Sequence, residues 1–344
     1  MRIMSPKSQR SELIVEEAGR GVRLDRFVSE HCANLSRARV QELIEQSRVL
    51  VNGAPSKAAH RLRSGDRINV EAEERPPLTA EPEAIPLEVL YEDDDVLLVN
   101  KPAGMSVHAG AGHARGTLVN ALLGRGQALS RGAAVSDGMR PGIVHRLDKE
   151  TSGVIAIAKN DFAHAKLAEA FRSRAVRKTY IALAEGRFEK SSGKIDLPIG
   201  RDPVRRTRMK ALADDAAGRG PRLAGRARQA LTEWQKLADL GAATLLAVQL
   251  HTGRTHQIRV HFSALKHPLV GDTLYGAAAH LRTGKTVLPA LGRQFLHSAR
   301  LGFPHPRTGD WVEARAPLAA DLRDYLGRLA AAEARSLAGA EAYF

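Results

Sequence analysis

The chain has 344 residues, of which 43% are hydrophobic and 4% aromatic, with a single cysteine, Cys32, and a net charge of +14. That length has room for one large and one small domain, while the lone cysteine excludes an internal disulfide and a cysteine-built zinc site, and no apolar run reaches the roughly 18 residues of a membrane span. The excess positive charge speaks for a polyanionic partner, nucleic acid first; the shortage of aromatics speaks against gripping single strands by stacked bases, so contacts to backbone and shape should dominate.

In chain order, MRIMSPKSQR lacks the apolar segment of a signal peptide, which gives a cytoplasmic expectation, and residues 1–12 are polar enough to be expected disordered. Leu24, Phe27, Val28 and His31 fall at helical spacing. Ser36 suits the N-cap of a second helix that carries Val40, Leu43 and Ile44 on one face. Val49–Val51 predicts a strand, Asn52-Gly53 a tight turn, and 61–70 a further turn and strand. Arg37, Arg39, Arg48 and Lys57 can form one basic surface toward phosphates. The Pro- and Glu-rich stretch 71–86, EAEERPPLTAEPEAIP, has no apolar period and predicts an extended linker between units free to move.

Leu87–Tyr91 and Val96–Val99 predict two strands. Asp93, Asp94 and Asp95 between them fit a tight turn better than a metal site. AGAGHARG (109–116) lacks the Lys-Ser/Thr ending of a phosphate loop and reads as a flexible loop, followed by a helix over 117–123. Next comes PGIVHRLDKETSG (141–153), in which the apolar pair Ile143-Val144 delivers His145, Arg146, Leu147 and Asp148 before a second run, Val154–Ala158, leaves. Strand, polar loop, strand is how a fold sets a functional side chain on a rigid base. Asp148 stands between Arg146 and Lys149, a basic setting that suits a nucleophile or a base better than a general acid. An amphipathic helix over 161–174 ends in Arg172, Arg174, Arg177 and Lys178, and a strand over 178–186 carries Tyr180. Arg201, Arg205, Arg206, Arg208 and Lys210 crowd one loop, and 211–228 reads as a long irregular one. Two strands, 230–237 and 243–250, lead into LHTGRTHQIR (250–259), which turns at Thr252-Gly253 and starts a helix at Thr255. The spacings of His251, His256, His261 and His267 match no metal-ligand pattern. Residues 295–322 predict two strands around a turn, and 327–344 a helix that frays.

HRLDKETSG (145–153) resembles the catalytic loop of the RluA-type pseudouridine synthases, and YEDDDVLLVNKPAG (91–104), RKTYIA (177–182) and LHTGRTHQIRVHF (250–262) extend the resemblance. RLDRFV (23–28), LSRARVQELIEQSRVLVNG (35–53) and SGDRINV (64–70) resemble an S4 RNA-binding domain. The resemblance implies an α+β protein. An S4 domain over 13–75 joins, through a linker at 76–86, a catalytic domain over 87–326 built on a mixed, largely antiparallel sheet flanked by helices, with 327–344 as a C-terminal helix and tail. It implies that Asp148 is essential, that Arg259 pairs with it, that Tyr180 lies over the target base and that Arg146 fills the stack a flipped uridine leaves. His145, Arg254, Arg37, Arg39, Arg205 and Arg206 are the further RNA-binding candidates. The reaction breaks N1–C1′ and joins C5 to C1′, so its product is an isomer and no cofactor or metal is expected. Nucleophilic attack on C1′ and proton removal from C2′ both remain open.

HAGAG (108–112), with Ala109 where the family usually has proline, and GRQFLH (292–297) bring the chain nearest the ribosomal large subunit synthase D subgroup. That implies 23S rRNA or the large subunit as partner; a monomer and no membrane partner are expected beside it. The same chemistry at another rRNA site or on tRNA, and a non-catalytic RNA-binding assembly factor, stay open beside it. A glycosidase would want a second cooperating carboxylate, for which the sequence offers no comparable candidate.

Overall fold

In a computed structural model the chain divides into two units, Met1–Thr79 and Ala80–Phe344. The structure describes residues 8–32, 35, 37–73, 80–108, 115–126, 129–130, 141–205, 207–212, 227–284, 286–338 and 340–343; of 8–10, 37–39 and 73 only the backbone path is placed.

The first unit runs β1 (Ser8–Ile14), α1 (Leu24–His31), α2 (Arg37–Glu45), β2 (Val49–Val51), β3 (Ala54–Pro55) and β4 (Arg67–Glu73). Its antiparallel sheet has the order β1-β4-β2-β3. Leu24, Phe27 and Val28 of α1 and Val40, Leu43 and Ile44 of α2 close over Val49, Val51, Ile68 and Val70, as the helical and two-residue periods require. Asn52 and Gly53 both take positive φ, 51° and 79°, the conformation of a two-residue hairpin turn. Asp25 is buried and accepts hydrogen bonds from Arg23 at 3.0 Å and from Gln41 at 2.6 Å, tying α1 to α2. The expected disorder of residues 1–12 is corrected for Ser8–Glu12: β1 pairs with β4 from Ser8 onward, which satisfies its backbone. Ser36 lies outside the described residues.

The second unit runs β5 (Glu88–Glu92), β6 (Val96–Lys101), α3 (Leu118–Gly124), β7 (Ser152–Ala158), α4 (Asp161–Arg172), β8 (Arg177–Glu185), β9 (Ser192–Asp196), β10 (Ile199–Arg201), β11 (Met209–Ala211), β12 (Leu231–Asp239), β13 (Ala243–Leu250), α5 (Gln257–Ala264), β14 (Leu296–Pro304), β15 (Trp311–Arg315) and α6 (Ala320–Ala332). The main sheet has the order β5-β6-β7-β14-β8-β13-β12-β9, with β15 on β14. Among the described residues only β7 and β14 run parallel; β10 and β11 form a separate hairpin. This is the mixed, largely antiparallel α+β architecture that the sequence implies.

Every residue of β7 is buried. Ile155 and Ile157 face one core with Leu97, Val99, Tyr180 and α5's Phe262; Val154, Ala156 and Ala158 face another with Leu98 and α4's Leu167. Gly153, at the head of β7, has φ 111°, and a Cβ there would stand 2.2 Å from Ser298 O. The parallel approach of β14 needs glycine at that point.

Three expectations change. Ile143 makes only an isolated bridge to Ile157, so a turn, not a strand, feeds the loop at 145–152. The C-terminal helix spans 320–332, not 327–344: Leu322, Tyr325, Leu326 and Leu329 pack on Ile181 and Phe295, so its core stripe begins earlier than the alanine-rich end suggested. Beyond it Ala340 is buried and the Arg300 guanidinium lies 5.0 Å from the Tyr343 ring centre. Residues 80–86 carry no regular structure but are tied down, because Asn120 of α3 donates to Glu81 O at 2.7 Å and accepts at its own carbonyl from Glu83 N–H at 3.0 Å.

A candidate active site around Asp148

The loop carrying Asp148 is anchored before it is charged. Leu147 is buried in the main core, and Thr151 N–H donates back to Asp148 O at 3.0 Å. Beneath the loop, Lys101 is fully buried and its ammonium donates to Pro102 O at 2.7 Å, Met105 O at 2.9 Å and Lys149 O at 3.1 Å. Burial pushes this lysine down to about 7, against the pull of Glu150 and Asp148. From the other side come three residues of the GRQFLH string. Arg293 donates to Glu150 O at 3.0 Å while gripping Asp321 of α6 through two bonds of 2.6 and 2.9 Å. Gln294 donates to Thr151 Oγ1 at 3.2 Å, and His297 Nδ1 stands 2.9 Å from Ser152 Oγ.

The partner arrives from α5. Arg259 donates to Asp148 Oδ2 at 3.2 Å and to both oxygens of Asp272, at 2.6 and 2.8 Å. Its side chain is 8% exposed. Burial works against this charge, but the two carboxylates outweigh it and hold the guanidinium above its ordinary pKa. Gln257 sets the turn ahead of it: its Oε1 accepts from Thr252 Oγ1 at 2.7 Å and Arg254 N at 3.0 Å, and its amide donates to Leu231 O at 3.0 Å.

Asp148 and Arg259 open onto a cavity of about 340 Å³, within the range of small-ligand sites. Tyr180, Lys178, Arg254, His256, Arg146 and His145 also line it. Tyr180 is buried, which drives its phenol above the ordinary value; a hydrogen bond with Ser298 opposes this and Asp148 adds to it. The phenol is therefore protonated at neutral pH. His145 accepts from Ala156 N–H at 2.9 Å through Nε2 and stacks on Phe171 at 4.6 Å. Burial, with Lys178 nearby, pushes it down to about 3, so it is a neutral wall of the cavity. Arg146 is exposed at the rim. Lys178 is pushed down to about 8 by burial and by Arg254, whose own pKa falls through burial and the nearness of Arg228 and Arg174.

Arg205 is exposed and does not line this cavity. Arg37 and Arg39 lie on α2 of the other unit, where only their backbone is described, and Arg206 is outside the described residues. The loops at 109–114 and 213–226 are outside them too. Asp93 accepts from Asp95 N and Val96 N, both at 2.8 Å, as a turn requires, and Asp95 grips Arg307 at 2.6 and 2.7 Å. Among the described residues no group of three His, Cys, Asp or Glu is placed to hold a metal, and no helix is long and apolar enough to cross a membrane.

Residues 95–264, which include Asp148, Tyr180 and Arg259, match the family model described as RNA pseudouridylate synthase, and residues 22–68 match the S4 domain. The chain is 40% identical to the ribosomal large subunit pseudouridine synthase D of Xanthomonas campestris, over 94% of each. The chain belongs to the RNA pseudouridylate synthase family. The uncharacterized RNA pseudouridine synthase YlyB of Bacillus subtilis is 39% identical over 92% of this chain and 97% of its own length. The solved human RNA pseudouridylate synthase domain containing 4 superposes with a TM-score of 0.54 at 27% identity, covering 70% of this chain and 92% of the human one. The synthase therefore isomerises uridine in RNA, and its first unit is an S4 RNA-binding domain.

Sequence reasoning singled out Asp148, Tyr180 and Arg259 and missed Asp272, Lys101, Arg293 and His297 as their supports. The acid after glycine in VGDTLYG (270–276) and the polar string GRQ ahead of a strand are visible in the sequence, but neither tells what its side chains touch.

Proposed function

We propose that the synthase modifies uridine in 23S rRNA and that Asp148 carries the reaction. The observation that supports this most is the Asp148–Arg259 pair, 3.2 Å apart at the mouth of a cavity that Tyr180 lines. A uridine inside a helix must leave its stack to reach such a carboxylate. Arg146, exposed at the rim, fills the gap it leaves, and cationic Lys178 and Arg254 take flanking phosphates. Asp148 then attacks C1′ or removes the C2′ proton; either way N1–C1′ breaks, the uracil turns over the Tyr180 ring, C5 bonds to C1′ as the carboxylate leaves C1′ or hands the proton back to C2′, and the C5 proton is lost as N1 gains one. A phenol held protonated serves as a stacking surface before it serves as a base. Arg259 keeps the carboxylate aimed, with Asp272 fixing the guanidinium. The rRNA target rests on the similarity to proteins named ribosomal large subunit pseudouridine synthase D.

Pseudouridine mapping across total RNA from cells with and without the gene tests the target: a 23S rRNA site should vanish, and loss confined to tRNA would overturn it. Mass measurement of treated RNA tests the reaction, because isomerisation leaves the mass unchanged whereas a glycosidase leaves abasic sites.

A further inference from the structure

Asp148 has two oxygens with different neighbours. Oδ2 accepts from Arg259, whereas Oδ1 accepts no direct hydrogen bond among the described residues and faces His256 Nε2 at 3.9 Å. That gap is too long for a hydrogen bond between them, yet a hydroxyl resting against both could bond to each. The imidazole is fixed from behind. Its Nδ1 lies 2.7 Å from Tyr275 Oη, and Tyr275 Oη accepts from Met209 N–H at 3.0 Å. The phenolic proton is then satisfied by donating to Nδ1, which puts the imidazole proton on Nε2, the atom turned toward Asp148. Burial, against the pull of Asp148, holds His256 below its ordinary pKa and so neutral. Residue 256 also takes φ 57°, a left-handed state that a non-glycine keeps only where its surroundings fix it.

The geometry points to His256 as the donor that recognises the ribose 2′-hydroxyl of the target uridine. This rests on the first of the two proposed roles of Asp148, attack on C1′. In a β-nucleoside the base and the 2′-hydroxyl lie on opposite faces of the sugar. A carboxylate that reaches C1′ opposite the departing N1 comes in on the face carrying the 2′-hydroxyl. With Oδ1 at C1′, the neighbouring Nε2–H meets the 2′-oxygen. The contact distinguishes ribose from deoxyribose at the reacting nucleotide. Tyr275 is a positioning residue: it sets the tautomer and, through Met209, links it to β11.

The test is a cycle between one side chain and one RNA atom. A stem-loop copied from 23S rRNA around a mapped pseudouridine is compared with the same stem-loop carrying 2′-deoxyuridine there, using wild type, His256→Ala and His256→Gln. Removing the hydroxyl should lower single-turnover kcat/KM in wild type by about tenfold more than in His256→Ala, the scale of one hydrogen bond. His256→Gln, which keeps an N–H donor, should recover part of that coupling. Binding of the two RNAs in the Asp148→Asn background, with and without His256→Ala, gives the same cycle without turnover. Equal losses for both RNAs in every variant would overturn the assignment of His256 and leave the proposed reaction standing. Full activity in Asp148→Asn would overturn both.

Discussion

The two walls of the cavity handle charge in opposite ways. On one, Arg259 is sandwiched between the carboxylates of Asp148 and Asp272, every charge close to its counter-charge. On the other, burial and the nearby Arg254 depress Lys178, while burial, Arg228 and Arg174 depress Arg254. The first arrangement is complete in the free protein and keeps its shape. The second has no acidic partner among the described residues, and under the proposed function an RNA phosphate would supply the missing anion.

The sharpest way to break this contrast is at the paired wall. Asp148→Asn keeps the shape and removes the charge; single-turnover pseudouridine formation should fall by about 10²–10⁴-fold or more, while RNA affinity in a filter-binding assay stays near wild type. Asp272→Ala leaves a buried guanidinium half-paired. It should cost about 3–5 kcal/mol in denaturant unfolding and lower activity as well, since Arg259 loses two of its three bonds. An unfolding midpoint unchanged in Asp272→Ala would show that the wall is not a fixed unit.

The crowded wall should respond to salt and pH instead. Lys178→Ala should reduce the slope of log affinity against log salt by about one. Because the free lysine titrates at about 8, its cation is lost as pH rises through that value, so affinity for RNA should weaken between pH 7 and 9. Lys178→Arg should flatten that dependence; an unaltered profile would mean that some other group titrates. The smallest effect belongs to Arg205→Ala, outside the cavity: stability within about 0.5 kcal/mol of wild type, with a small loss of affinity and no change in the chemical step.

The paired wall was half legible in the sequence. Asp148 and Arg259 sit in strings whose resemblance carries their pairing across a separation of 111 positions. Asp272 was not legible, because an acid after glycine in a turn looks the same whether it meets water or a buried arginine. Lys101, Arg293 and Gln294 act on backbone carbonyls or loop hydroxyls brought close by the fold, and no period along the chain records such contacts. The sheet was clearer, since β7 and β8 are continuous apolar runs bounded by turns. β1 was missed because its residues read as polar and its pairing partner lies nearly sixty positions away. The start of α6 was missed because alanine-rich sequence drew attention to the wrong turn of the helix.

Arg293 bridges Glu150 to Asp321, and this bears on how the protein is made. The loop that holds Asp148 emerges from the translating ribosome well before the arginine that braces it, and earlier still than the acid that steadies the arginine. A nascent chain with the family's most recognisable peptide already outside the exit tunnel is therefore not yet a competent enzyme. Competence arrives late, when the segment from Gly292 to Asp321 folds back onto the sheet.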